Sequence, residues 1–516
     1  MSESDGASPA PISRATHPPA STDWRRREIR LALGNALKLG SSLIVTWGIA
    51  LLVRLYVPRF LGPDRFGELN FADAFTTTTF VLLTLGLDTY VRKEISVRPG
   101  HASDFIGGIV TLRLLMLVIV YAGMEIVLRA TQRSPEVRLL VYVFGAAQFF
   151  IVGNNTSAGL LHAAGKVSEL SVLSVVAKLI WALGIVIAIV FRLDLWAYAA
   201  ALAAAEGLKS LVLFWLARKH LGFDVKIRPR ATFAVIVASL PFYVSGLAST
   251  IYDRIGVSLL AFLSTDREVG WYGAASGLAG LTMMLVPLIS WVLIPLFARA
   301  AAASEAELRA MARRSLEFIL TLIIPVSLML VVGADVWIHI VFGPAFLQAE
   351  AALRILAVAH LLMYVSLVCA YALAVLNFTW RMSAVFVSGM VINPVCNAFL
   401  IKPALALEGA GGGGAACATA TLLTEIVIVG ALLGLLGRRT FDAELIVRVS
   451  KSLAAAIAVA ALDTFLLKPL GPARLLLDAA IYVTLVLVTG ATDVRGMVNW
   501  TRMAMRERKS TKPPAG

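Results

Sequence analysis

The sequence predicts an all-α polytopic membrane protein with about fourteen transmembrane helices. Of its 516 residues, 59% are hydrophobic and only 15% are charged, and the mean hydropathy is +0.82. Soluble globular proteins contain roughly 25% charged residues. The apolar residues suffice for about fourteen spans of ~20 residues each. This composition excludes a soluble enzyme, a nucleic-acid-binding domain and a disordered scaffold. It also excludes an outer-membrane barrel, whose strands alternate polar and apolar residues.

The apolar windows divide the chain into two groups of six spans and a final pair. A polar tail, 1–31, comes first and lacks the leading apolar run of a cleavable signal peptide. The segment 218–232 carries five Lys or Arg and separates a six-helix bundle at 32–217 from a second at 233–437. Helices 13 and 14 lie within 438–491, and a basic tail follows at 492–516. The predicted spans are 32–57, 67–90, 105–128, 137–161, 168–191, 195–217, 233–262, 270–298, 312–340, 351–376, 382–404, 410–437, 445–467 and 473–491.

The net charge of +14 is distributed over tails and loops, and this distribution predicts the orientation of the protein in the membrane rather than nucleic-acid binding. An even number of spans places both termini on one side of the membrane. Lys and Arg are more numerous in the tails and loops of that side, so we expect both termini and 218–232 to be cytoplasmic. Anionic membrane lipids are the expected counterions, and no nucleic-acid partner is expected. Basic pairs in the predicted loops or at the ends of spans are Arg92-Lys93, Arg218-Lys219, Arg313-Arg314 and Arg438-Arg439.

Neither a metal nor a cofactor is expected. Cys369, Cys396 and Cys417 lie in apolar stretches without C-x-x-C spacing, and no H-E-x-x-H motif occurs. The run Gly411 to Gly414 is followed by Ala415-Ala416-Cys417, whereas a phosphate-binding loop requires Lys and Ser or Thr there. This run therefore predicts close packing at a helix start.

Two similar segments occupy equivalent places in the two groups of spans. FLGPDRFGELNFADAF begins at Phe60 after the first span, and FLSTDREVGWYGAASG begins at Phe262 after the seventh. Both contain F-L-x-x-D-R followed shortly by Gly. Because each group has an even number of spans, both groups begin on the same side of the membrane and have the same orientation. The pattern therefore predicts parallel repeats related by an axis along the membrane normal.

Charged residues inside the predicted spans are the main functional signal. A charge at the bilayer centre costs at least ~2.5–3.5 kcal/mol on the insertion scale, so it needs a partner or a wet cavity. Arg54 and Lys209 lie near span ends, where long side chains reach the interface. For the others, a cavity-lining role and a structural ion pair are both open. The residues are Lys38, Arg54, Asp73, Asp88, Arg113, Glu125, Lys178, Glu206, Lys209, Asp253, Arg254 and Glu425.

An ordered set of motifs resembles one family. The set resembles the polysaccharide (O-antigen and exopolysaccharide) flippases of the multidrug/oligosaccharidyl-lipid/polysaccharide exporter superfamily. It covers about 30–440, and its Gly run is longer than is usual in that family. The motifs are RFLGPDRFGEL from Arg59, LGLDTYVRKEI from Leu85, LPFYVSGLASTIYDRIGVSLLAFL from Leu240, EVGWYGAASGL from Glu268, VFGPAFLQAEAALRIL from Val341 and INPVCNAFLIKPALALEGAGGGGAA from Ile392.

The resemblance implies two six-helix bundles arranged as a V around a cavity lined by helices one, two, seven and eight. It implies alternating access and a polyprenyl-diphosphate-linked oligosaccharide substrate. Lys38, Arg54 and Arg254 are the expected substrate-binding residues, because a diphosphate needs cationic partners. Asp73 and Asp253 are the expected counter-charges or cation-coupling groups. No catalytic residue is expected.

The same resemblance implies a multi-pass protein of the bacterial inner membrane that serves lipopolysaccharide or exopolysaccharide synthesis. A polysaccharide polymerase and glycosyltransferases are the expected protein partners. A lipid II flippase and a drug or cation antiporter are alternatives. A membrane glycosyltransferase or polymerase is the enzyme alternative. The predicted outward loops, such as 263–269 and 341–350, are too short to carry a catalytic site, so no enzyme is expected.

Overall fold

The computed structural model describes residues 22–95, 98, 101–376, 378–437 and 442–491. Residues 1–21 of the predicted first tail and the whole predicted tail 492–516 lie outside this part. The described residues form helices and short connections, with no strand among them. The predicted all-α polytopic fold is therefore confirmed.

Sixteen α-helices follow one another along the described chain, and each predicted span matches one helix or two consecutive pieces. Within the described residues, eleven helical segments are long and apolar enough to cross a membrane. Two of them, Val45–Leu83 and Ala443–Thr489, each include parts of two predicted spans. The helices are α1 (Thr22–Phe80), α2 (Leu87–Glu94), α3 (Ala102–Ala130), α4 (Pro135–Ala163), α5 (Val167–Val190), α6 (Leu195–Leu221), α7 (Pro229–Leu263), α8 (Asp266–Ala279), α9 (Val286–Ala303), α10 (Glu305–Val332), α11 (Ala334–Phe342), α12 (Glu350–Val375), α13 (Thr379–Glu408), α14 (Gly412–Leu436), α15 (Ala443–Leu462) and α16 (Arg474–Thr489).

Short polar side chains begin several of these helices. Ser134 accepts a hydrogen bond from the Val137 amide at 3.3 Å, and Pro135 occupies the first turn of α4. Ser304 and Asp442 accept from main-chain amides in the same way at the starts of α10 and α15. Such caps satisfy amides that have no partner within their own helix. The sequence thus marks helix starts in the loops between apolar runs.

The connection between the first two predicted spans is a sharp bend inside α1. Gly62 has φ 73° and ψ 171°, which are not helical values, and Pro63 follows it. Glycine adopts this positive φ without a steric penalty, and proline lacks the amide that would continue the helix. We call 22–61 the first limb of α1 and 63–80 the second limb.

The second and eighth predicted spans are both interrupted within their length. In span two, Leu85 and Gly86 have φ values of 54° and 65°, and they separate the turn Val81–Leu83 from α2. In span eight, α8 ends at Ala279 and α9 begins at Val286 after another tight turn. Hydropathy predicted continuous helices at both places. The two interruptions occur in equivalent spans, which supports the predicted repeat.

The loops define two faces of the molecule. The linker face is the side on which residues 222–228 lie between α6 and α7, and the far face is the side that contains Gly62, 131–134, 264–265 and Gly343. Contacts between distant loops agree with this assignment. Arg228 pairs with Asp104 at the linker face, and Trp271 donates to the Ala345 carbonyl at 2.8 Å at the far face.

Candidate functional site

Three of the predicted site residues meet between the N-terminal and C-terminal helices. Arg254 Nη1 on α7 lies 3.7 Å from Asp73 Oδ2 on the second limb of α1, and each side chain is 34% exposed. Arg54 lies on the first limb of α1 and is within electrostatic range of both residues. The Cδ of Arg54 lies 3.9 Å from the position that a Cβ would take on Gly277 of α8. We call Arg54, Asp73 and Arg254 the arginine site.

The arginine site is built by the spans that the family resemblance implied, namely one, two, seven and eight. Arg54 lies about two helical turns from Gly62, and Arg254 about two and a half turns from the end of α7. At 1.5 Å per residue, both lie about 12–14 Å below the far face, near the middle of a hydrocarbon core ~30 Å thick. Arg254 pairs with Asp73 there, and Arg54 lies within electrostatic range of both, so the three side chains together carry one net positive charge.

Asp253 is exposed and lies within electrostatic range of Arg254. Adjacent residues on a helix point about 100° apart, and Arg254 pairs with Asp73 rather than with its neighbour. Asp253 lies within electrostatic range of Glu425 on α14. Glu425 is buried and accepts hydrogen bonds from Tyr252 Oη at 2.7 Å and Ser366 Oγ at 2.9 Å. The two predicted counter-charges therefore occupy different surroundings. The predicted substrate residue Lys38 lies among the side chains outside the described part.

Arg113, another charge predicted inside the membrane, stabilises the interruption of span two. Its Nε donates to the Leu83 carbonyl at 2.8 Å, and its Nη2 donates to the Thr84 carbonyl at 3.2 Å and to Thr156 Oγ1 at 3.0 Å. Two residues of α7 contribute as well. Ser239 donates to the Leu85 carbonyl at 2.8 Å and Tyr243 to the Leu82 carbonyl at 3.3 Å. Four consecutive carbonyls, 82–85, thus each receive a side-chain donor.

The far face is closed above the arginine site by direct contact between the two repeated segments. A Cβ on Gly67 would overlap the Asp266 carbonyl, and a Cβ on Gly270 would overlap the Pro63 carbonyl. Two ion pairs cross the same boundary. Arg267 Nη2 lies 2.7 Å from Asp64 Oδ2, and Arg133 Nη1 lies 2.6 Å from Asp266 Oδ1. The sequence indicated the repeat but not that its two copies bind each other.

Toward the linker face, α7 contacts α2 and α3, whereas α9 lies apart from α1. Among the described residues, α9 packs against α10 and α12 and makes no extended contact with the first limb of α1. The interruption between α8 and α9 allows this, because α8 packs tightly on α1 while α9 follows the C-terminal helices. The described conformation therefore combines a closed far face with a site exposed below it.

The glycine run packs closely, as predicted, and its helix start is occupied by a side chain of the protein. Glu268 on α8 is buried, and its two carboxylate oxygens accept from the amides of Gly411 at 2.6 Å and Gly414 at 3.0 Å. A carboxylate at a helix N-terminus is stabilised by the amides and by the helix dipole. The sequence analysis did not identify this role of Glu268.

One curated relative and two solved structures resemble the chain over most of its length. A protein of Haloferax volcanii described as a probable low-salt glycan biosynthesis flippase, Agl15, is 23% identical over 389 residues, which cover 73% of this chain and 78% of that protein. The lipid II flippase MurJ in an inward closed conformation matches with a TM-score of 0.61 and 13% identity, covering 87% of this chain and all of that one.

The second structure is an inward-facing multidrug resistance MATE transporter of the MOP superfamily. It matches with a TM-score of 0.61 and 14% identity, covering 78% of this chain and 99% of that chain. At these identities the two structures establish a shared fold. The family model described as polysaccharide biosynthesis protein matches residues 32–301, which is more than half of the chain. The chain therefore belongs to the polysaccharide biosynthesis protein family.

Proposed function

We propose that the protein is a flippase that moves a polyprenyl-diphosphate-linked oligosaccharide across the bacterial inner membrane for surface polysaccharide synthesis. The observation that carries the proposal is the arginine site, where Arg254 pairs with Asp73 and Arg54 lies within electrostatic range of both, near the middle of the membrane. Charges at this depth are costly and are typical of a substrate pathway. The site lies between the helices that would have to separate and rejoin during alternating access.

The chemistry of the arginine site fits a diphosphate. A guanidinium group binds phosphate oxygens through two parallel N–H donors, which gives both strength and orientation. Without substrate, Asp73 partly neutralises the two arginines. With substrate, the diphosphate supplies the missing negative charge, and Asp73 serves as a counter-charge. Asp73 and Asp253 are the proposed counter-charge or coupling groups, and Lys38 remains a third proposed substrate cation.

The closed far face and the partly exposed Arg254 and Asp73 below it fit a state that receives substrate from the linker side. Transport then requires the contact between the second limb of α1 and α8 to separate. That contact consists of close backbone packing and the ion pair between Arg267 and Asp64, and a second ion pair joins Arg133 of the 131–134 loop to Asp266. None of these contacts is covalent. We place the linker face toward the cytoplasm, where lipid-linked sugars are assembled before export.

The comparisons support a glycan substrate. The family is described by polysaccharide biosynthesis, and the Haloferax relative is described as a glycan biosynthesis flippase. The MurJ match keeps lipid II as the alternative lipid-linked substrate to be tested. Both substrates contain a polyprenyl diphosphate, so both fit the arginine site.

The proposal is tested with purified protein in liposomes that contain a fluorescent undecaprenyl-diphosphate-linked oligosaccharide. Flipping is measured as the fraction of sugar that becomes accessible to a membrane-impermeant quencher. We expect the wild type to flip this lipid and Arg254→Ala to abolish flipping. Arg254→Lys should recover only part of the rate, because an ammonium group is a point charge rather than a planar fork.

The matched control is Arg230→Ala, which removes an exposed arginine beside the linker face and should keep the wild-type rate. Flipping of lipid II in preference to the oligosaccharide lipid would assign the alternative function. Wild-type flipping by Arg254→Ala, with normal amounts of folded protein, would contradict the role given to the arginine site.

A further inference from the structure

A second polar cluster lies inside the N-terminal helices. Asn154 Nδ2 on α4 donates to the Glu206 carboxylate at 2.8 Å and to the Glu206 carbonyl at 3.0 Å. Lys209 Nζ lies 3.5 Å from the same carboxylate oxygen, Oε2. Lys178 Nζ on α5 lies 3.9 Å from the centre of the Trp181 ring and within electrostatic range of Glu206. A cation above an aromatic ring is attracted to its negative face.

This cluster keeps unused hydrogen-bonding capacity in the middle of the membrane. Asn154 is only 2% exposed, yet its Oδ1 has no hydrogen-bond partner among the described residues. The hydrogen bond from Asn154 to the Glu206 carboxylate uses only Oε2, and the Lys178 ammonium lies over the face of the Trp181 ring. A buried polar atom without a partner costs free energy. A ligand that pairs with this cluster must offer donors to the Asn154 and Glu206 oxygens and acceptors to the Lys178 ammonium.

The cluster adjoins the arginine site. Lys178 is within electrostatic range of Arg54 and Asp73. Trp181 packs in one apolar cluster with Val53 and Val57, which flank Arg54 on the first limb of α1. Glu206 lies about three turns from the start of α6, so its depth below the far face is about 16 Å, similar to that of Arg54. A ligand held by the arginine site would therefore extend toward this cluster.

We propose that Asn154, Lys178, Glu206 and Lys209 form a subsite that binds the hydroxyl groups of the sugar next to the diphosphate. The inference rests on the proposed function and deepens it. A sugar hydroxyl donates to the free carboxylate and amide oxygens, and it accepts from the lysine ammonium groups. A site built to hydrogen-bond its ligand rejects an analogue that lacks those groups, because its own polar atoms then stay unpaired. The subsite thus selects glycosylated lipid over the bare carrier.

The experiment compares two probes on the full-length protein in nanodiscs. One probe is undecaprenyl diphosphate, and the other is undecaprenyl-diphosphoryl-N-acetylglucosamine. Binding is measured by native mass spectrometry. Glu206→Gln keeps the size of the side chain but removes its charge. We expect this variant to lose about tenfold in affinity for the glycosylated probe and to bind the bare probe as the wild type does. Arg254→Ala should lose affinity for both probes.

Glu408→Gln, which changes an exposed carboxylate at the end of α13, is the matched control and should bind both probes normally. Equal loss of both probes in Glu206→Gln would mean that Glu206 only maintains the fold, and unchanged binding would place the sugar elsewhere. Either result overturns the inference while the proposed function stands. If the wild type binds neither probe, both the inference and the proposed function are contradicted. Should Glu206→Gln not fold, Lys178→Gln is tested with the same two probes and the same criteria.

Discussion

Arg113 and Arg254 show how burial separates two arginines that look alike in the sequence. Both are charges in apolar spans, and the sequence allows either a cavity-lining or a structural role for each. Arg113 is 5% exposed and donates hydrogen bonds to main-chain carbonyls. The side chain of Arg254 is 34% exposed, and its Nη1 lies 3.7 Å from the Asp73 carboxylate. Hydropathy gives the cost of such a charge but not the group that compensates it. The structural partner therefore decides the role.

We predict that Arg113→Ala destabilises the protein. The change leaves the carbonyls of Leu83 and Thr84 without their donors, and each unsatisfied buried group costs about 1–3 kcal/mol. The melting temperature of the purified protein should fall by several degrees, and Arg113→Lys should restore it only in part. Arg254→Ala serves as the control, because a partly exposed arginine with one distant ion-pair partner contributes less to folding. Equal melting temperatures for wild type and Arg113→Ala would contradict the structural role.

At the scale of the helices, spans two and eight are each interrupted. Because of such a break, the two parts of one span can pack against different helices. The upper part of span eight, α8, packs on α1, whereas its lower part, α9, packs on α10 and α12. Sharp breaks in helices have local structural causes, such as glycine, proline or an altered turn. The sequence could not predict them, because hydropathy measures the transfer of side chains and does not report the backbone conformation at Leu85 or Gly280.

We predict that Gly270→Leu opens the far face. The added side chain would overlap the Pro63 carbonyl, which is main chain and cannot turn aside. A cysteine placed at Asn70, next to this contact, should then react faster with an impermeant maleimide added at the far face. Gly430→Leu is the control, because nothing lies within 4 Å of a Cβ at that position. Unchanged labelling in Gly270→Leu would show that this contact does not close the far face.

At the scale of the whole molecule, most of the fold could be predicted because each span is a long apolar run with polar ends. The helices from α3 to α7 begin and end within a few residues of their predicted spans. For the arginine site, the sequence predicts the residues but not their contacts with one another. Arg54, Asp73 and Arg254 belong to three separate spans, and their meeting depends on tertiary packing. The contact between Glu268 and the glycine run is likewise a tertiary contact, with no signal in spacing or composition.

We predict that both termini and the linker lie in the cytoplasm. Reporter fusions at Gly516 and within 220–230 should both give a cytoplasmic signal, because Lys and Arg are concentrated on that side. A fusion at 131–134, on the opposite face, should give a periplasmic signal. A periplasmic signal at either of the first two positions would contradict the predicted orientation and the parallel repeat.

We also predict that transport is driven by an ion gradient or the membrane potential. The sequence has no phosphate-binding loop, and the amides at the start of the glycine run already bind Glu268. Purified protein in liposomes should hydrolyse no ATP, and flipping should stop when ionophores collapse the gradient. ATP hydrolysis that copurifies with the protein through successive columns would disprove this.

The closed far face has a consequence for inhibition. With the linker face toward the cytoplasm, a compound in the periplasm meets packed backbone and two ion pairs instead of a cavity. An inhibitor of this conformation must first cross the bilayer and enter from the cytoplasmic side. An antibody raised against the far face would recognise the joined loops and hold them together. It would block the transport cycle without reaching the arginines at all.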